Sequence, residues 1–141
     1  MPAVSALIDS GPLYALFDRS DSYHEAAKKV IKDFHGQLIS NIAVVQEVHF
    51  LLAFHPPSQL AFLEWMHSGP IMLETITKDD LARLHHLMKK YADVPMDLAD
   101  GALVMQAERL DVHRIITVDS DFQIYRLKRH KAFINLFSFP S

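Results

Sequence analysis

The sequence predicts an α/β fold in which a mostly parallel sheet of about five strands is covered by helices on both faces. Three observations predict it. Short apolar runs recur along the chain. Segments with helix-start signals separate them, which is the alternation that builds parallel sheets. No repeat, low-complexity tract or linker divides the 141 residues, a length that suits one domain over 1–141.

The elements follow in order. Val4-Ser5-Ala6-Leu7-Ile8 reads as a buried strand, and Asp9-Ser10-Gly11-Pro12 as a turn after it. Ser22 and Glu25 stand three apart, as in a capping box, and predict a helix closed by His35-Gly36. Leu38-Ile39-Ser40 is a second strand. Asn41 caps a helix that carries Glu47 and runs to about Phe54. Pro56-Pro57 breaks it, and Ser58 caps another through Trp65. Ile71 to Ile76 is a third strand. Thr77 and Asp80 open a helix to about Tyr91, and Asp97 caps one through Leu110. Arg114 to Val118 and Ala132 to Phe137 complete the set. In such sheets, sites form beyond the carboxyl ends of the strands, at a switch in strand order.

Composition narrows the chemistry. There are no cysteines, so disulfides and thiolate metal sites are excluded, and a reducing cytoplasm is the expected compartment. No basic leader or membrane-length apolar run is evident. The net charge of −3 means that any nucleic-acid surface must be local. The histidines form no H-E-x-x-H, and neither G-x-G-x-x-G nor a P-loop is present.

The acids carry the signal. Asp9 and Asp119 each follow a predicted strand, so parallel strands bring them to one edge. Asp97 and Asp100 share a face at a helix start. A helix, not a strand, precedes them, so their edge is not fixed by this argument. Glu47 has Ala43, Val44, Phe50 and Leu51 as helical neighbours. A carboxylate on an apolar face is costly unless paired, protonated or bound to a cation. Taken singly, these acids also suit turns and caps. Gathered in one pocket they repel, and a cation is needed to keep them ionised. Hard oxygen ligands select Mg²⁺ or Mn²⁺, ions that keep waters and bind phosphate oxygens. The chemistry implied is phosphodiester hydrolysis.

Val4 to Pro12 with its extension to Phe17, the helical Glu47, Asp97-Leu98-Ala99-Asp100-Gly101-Ala102 and Thr117-Val118-Asp119-Ser120-Asp121-Phe122 together resemble the PIN domain. The resemblance is greatest to VapC-type toxin ribonucleases of toxin–antitoxin pairs. It spans nearly the whole chain, with four motifs in register. It implies an α/β/α sandwich and a Mg²⁺- or Mn²⁺-dependent endoribonuclease. It also implies RNA as substrate, a small antitoxin as partner and a homodimer. Asp9 and Asp100 would be the principal metal ligands, with Glu47 and Asp119 completing the shell. The spacing leaves Asp119 and Asp121 partly interchangeable, and Asp97 is an additional acid. Ser10 and Thr117, beside the acids, could bond a carboxylate or a phosphate.

Arg126-Leu127-Lys128-Arg129-His130-Lys131 is the densest basic run. It is either a phosphate-gripping edge for RNA, through Arg126, Lys128, Arg129 and Lys131, or a solvated loop. Nearby Phe122 and Tyr125 are either stacking platforms or core. Three other classes compete. A phosphatase with an aspartyl nucleophile wants a second aspartate where Gly11 stands. A receiver-like signalling domain wants paired acids before the first helix and a lysine ending the fifth strand. A non-catalytic PIN-like RNA-binding module would lack one of the four acids.

Overall fold

A computed structural model describes residues 4–140. In chain order the elements are β1 (Ser5–Ile8), α1 (Ser10–Leu16), α2 (His24–Asp33), β2 (Gln37–Asn41), α3 (Ile42–Leu51), α4 (Pro56–Ser68) and β3 (Met72–Glu74). There follow α5 (Asp80–Lys90), α6 (Leu98–Leu110), β4 (Arg114–Ile116) and β5 (Ile134–Asn135). A 3₁₀ turn, Ser120–Gln123, and a tight turn, Lys128–His130, lie between the last two strands.

The sheet has the order β3-β2-β1-β4-β5, and all four pairings are parallel. The chain builds outward from β1 through β2 to β3, then returns to place β4 on the other side of β1. The switch in strand order therefore lies between β1 and β4. Helices cover the sheet in a three-layer α/β/α sandwich. Central strands buried on both faces need continuous apolar runs. Ala6, Leu7 and Ile8 of β1 and Ile115 and Ile116 of β4 are fully buried. Outer strands need less, and the exposed Ile134-Asn135 of β5 suffices for a short edge.

Several local expectations hold. Asn41 Oδ1 accepts from Val44 N and caps α3. Asp97 Oδ1 accepts from Asp100 N and caps α6. Thr77 and Asp80 exchange a reciprocal pair of bonds at the start of α5.

Others are corrected. The segment after Asp9 is not a turn but the first turn of α1, which Asp9 caps through Ser10 N. Pro12 is tolerated there because the first helical N–H groups have no intrahelical acceptor. Gly11 lets this turn approach the segment just after β4: a Cβ on it would clash with Val118 Cγ2. The Ser22–Glu25 capping box does not form. Asp21 takes the Tyr23 amide, and α2 starts one turn residue later without a side-chain cap. Helix α4 begins at Pro56 rather than after Ser58, for the same reason as α1. The third, fourth and fifth strands are shorter than their apolar runs. Among the described residues, no helix is long and apolar enough to cross a membrane.

Candidate active site

The two strands that flank the switch point supply the first acids. Asp9 follows β1 and its amide donates to Ile116 O of β4, which fixes it between the strands. Its side chain is 3% exposed. Oδ1 accepts from Ser10 N at 2.8 Å, and Oδ2 accepts from Thr117 Oγ1 at 2.9 Å. Thr117 is only 1% exposed, and the same hydroxyl oxygen accepts from Asp119 N at 3.0 Å. One hydroxyl thus sets the spacing of the first and last acids. Thr117 is held in turn by Asn135 of β5, which bonds its N–H and C=O.

Helix α6 brings its amino end to this edge, so the intervening α5 reverses the chain as the site requires. Asp100, 7% exposed, faces Asp9 and Asp119. Each of the three offers a carboxylate oxygen, and these oxygens lie within 4.8 Å of one another. Glu47 reaches the group from α3, where its carboxylate accepts from Ser10 Oγ at 2.5 Å. Asp97 faces Glu47. Asp121 stays outside the trio. Its amide donates to Asp119 Oδ1 at 2.9 Å, so it orients Asp119.

The crowding is visible in the protonation equilibria. Burial, then the charges of Glu47 and Asp119, raises Asp9 to about 7 against the lowering effect of its hydrogen bonds. Burial, then Asp9, Asp97 and Asp119, raises Asp100 to about 8. Burial also raises Asp119 and Glu47, helped by Asp121 and Asp97 respectively. Without a counter-charge the group resists full ionisation at neutral pH. Three close carboxylates that need positive charge form a donor set for a hard divalent cation.

Ser10 and Thr117 direct their hydroxyl protons at carboxylates, which is the first of the two roles open to them. Phe122 and Tyr125 are core, at 3% and 0% exposure, and are not stacking platforms. Sequence reasoning missed the polar end of Tyr125, whose hydroxyl donates to Asp100 Oδ2 at 3.3 Å. Its position shortly after the β4 acid was the available signal.

The basic run lies elsewhere. Lys128, Arg129 and Lys131 line a hollow of about 300 Å³ with Glu108, Asp111 and His113. Those partners are the far end of α6 and the start of β4. At about 1.5 Å per residue, this is roughly 16 Å along α6 from Asp100. Parallel topology requires it, because the connection to β5 must leave the carboxyl edge and end at the amino edge. Arg126, half-buried, donates to the carbonyls of Gln123 and Tyr125. None of the four cations is a hydrogen-bond or ion-pair partner of the acids.

Residues 6–128 match the family model of the PIN domain. The chain belongs to the PIN-domain family. Over 115 residues, covering 80% of this chain and 85% of the relative, this PIN domain is 28% identical to ribonuclease VapC26 of Mycobacterium tuberculosis. It also matches a crystal structure of M. tuberculosis VapC20, a sarcin-ricin loop cleaving toxin. There the TM-score is 0.83 over 94% of this chain and 99% of the other, at 16% identity. That likeness shows the fold of this PIN domain.

Proposed function

We propose that this PIN domain is a toxin-type endoribonuclease that hydrolyses RNA phosphodiester bonds with a Mg²⁺ or Mn²⁺ ion held by Asp9, Asp100 and Asp119. The single observation that carries the reading is the trio of converging carboxylates at the switch point, two of them buried and Asp119 half-buried. The relative named a ribonuclease supports RNA as substrate. A bound ion supplies the charge that keeps these acids ionised together and the polarisation that readies water for attack at phosphorus. Every other part belongs to the chain. Asp9 and Asp100 hold the ion from two elements. Thr117 fixes Asp9 and Asp119 at one separation. Glu47, oriented by Ser10, completes the acidic wall and orients water. The low exposure of Asp9 and Asp100 keeps competing solvent away from the ligands.

Water attack breaks the P–O3′ bond, leaves the water oxygen on phosphorus and returns a proton to O3′. The fragments carry 5′-phosphate and 3′-hydroxyl ends. The test is end-group analysis of labelled RNA cut with and without EDTA. Cyclic 2′,3′-phosphate ends, or full activity in EDTA, overturn the reading. A non-catalytic RNA-binding module is disfavoured because none of the four acids is replaced.

Two partner assignments belong to the same proposal. A toxin of this kind pairs with a small antitoxin protein, and it assembles as a homodimer. The exposed Ile42, Phe50, Phe54, Leu60 and Leu63 of the α3–α4 region support a protein-covered surface there.

A further inference from the structure

Each acid of the pocket has its own donor. Asp9 has Ser10 N and Thr117 Oγ1, Asp119 has Asp121 N, and Glu47 has Ser10 Oγ. Each of these donors stands within two residues of Asp9 or Asp119. Asp100 differs. Among the described residues, the one side-chain or backbone donor to its carboxylate is Tyr125, twenty-five positions away in the connection between β4 and β5. The hydroxyl is wholly buried and makes no other hydrogen bond among the described residues.

The ring that carries this hydroxyl is clamped. Phe122 and Tyr91 meet it edge-on, each with ring centroids 5.1 Å apart, at 86° and 71°. Tyr91 is tied to the same segment, because its hydroxyl accepts from Arg126 N at 3.0 Å. A phenol ring held on two sides cannot swing, so its hydroxyl oxygen stays within bonding distance of Asp100. A donor fixed behind a metal-ligating carboxylate holds the ligand's orientation and tunes its affinity.

We infer that Tyr125 is the positioning residue for Asp100, holding that carboxylate turned toward Asp9 and Asp119 so that the three can share one cation. The inference rests on the reading of the trio as a Mg²⁺/Mn²⁺ site. Its reach is specific. Tyr125 does not touch substrate, and it acts only through Asp100.

The test is Tyr125→Phe, which keeps the clamped ring and removes only the hydroxyl. Mn²⁺ binding to the purified protein is read by isothermal titration calorimetry, beside RNA cleavage across a Mn²⁺ series. Mn²⁺ affinity should fall about 10-fold. KM for RNA should stay within twofold, and kcat should recover at saturating Mn²⁺. In an Asp100→Asn background, the same change should have no further effect on Mn²⁺ affinity. Phe133→Leu disturbs the same aromatic cluster at Phe122 without removing a group that clamps Tyr125 or bonds Asp100. It should lower the melting temperature and leave Mn²⁺ affinity unchanged. Wild-type affinity in Tyr125→Phe, or an equal loss in Phe133→Leu, overturns the inference while leaving the metal site intact. A wild-type protein that binds no Mn²⁺ overturns the site and the inference together, and that titration separates the two failures.

Discussion

The chain has two dense charged regions, and they are built in opposite ways. The acids around Asp9 are drawn from four separate segments: Asp9 and Asp100 are buried, Glu47 and Asp119 half-buried and Asp97 exposed, and neighbouring amides and hydroxyls hold them by hydrogen bonds. The basic turn at Lys128–Lys131 comes from one continuous segment and is exposed throughout. Arg129 and His130 even adopt left-handed backbone conformations, with φ of 62° and 59°. The acids raise each other's proton affinity, whereas the lysines and arginines of the turn are spread in solvent. Charge density along a sequence is therefore a poor guide to electrostatic work. Charges matter most where several elements force them together away from water.

The sharpest way to break this comparison is to remove one buried charge. Asp9→Asn keeps the volume and one acceptor oxygen but deletes the charge that we propose holds the ion. Metal-dependent cleavage should fall on the order of 10³-fold, the scale of several kcal/mol that a bound metal contributes. The fold should survive, and the metal-free melting temperature should hold or rise, since the variant relieves a desolvated charge. Retained cleavage at the wild-type rate would show that the pocket is only structural.

A smaller effect concerns pH. Asp9 and Asp100 are raised to about 7 and about 8 in the folded chain, above the ordinary carboxylate value of 3.8. Between these values the folded state binds more protons than the unfolded one, so metal-free stability must decline as pH rises. Metal-free protein should melt higher at pH 5 than at pH 8. Added Mg²⁺ should stabilise it at pH 8 and do little at pH 5, where the acids are protonated. Calorimetric scans at both pH values check this. A flat profile would mean that the acids do not share one crowded field.

The smallest expected effect belongs to the basic turn. Replacing Lys128, Arg129 and Lys131 together by Gln should weaken RNA binding modestly. It should shorten the slope of log affinity against log salt by at most about 2, the value for three phosphate contacts on a single strand. Turnover at saturating RNA should be unchanged, because the turn lies at the opposite edge from the acids. A filter-binding titration over a salt series measures it, and an unaltered slope would assign the turn to solvation alone.

What the sequence alone determined was local. A short apolar run ending in Asp9 and another ending near Asp119 placed both acids beyond strand ends, and parallel pairing followed from the alternation with helices. Asn41, Asp97 and the Thr77–Asp80 pair announced their helices because a cap bonds only to residues three or so positions away. The odd placement of Glu47 on an apolar face was visible for the same reason. The first turn of α1 was hidden because Gly11-Pro12 reads as a breaker, and only the close approach to Val118 explains the glycine.

Tertiary structure alone decided the rest. It turned the amino end of α6 to the edge where Asp9 lies, although a helix precedes it. It drew Asp119 into the trio and left Asp121 as its backbone donor. It carried the basic run to the other edge and buried Tyr125 with its hydroxyl on Asp100. These outcomes depend on crossovers and on packing between elements far apart in the chain. Capping signals and apolar periodicity reach only a few residues and carry no information about such distances.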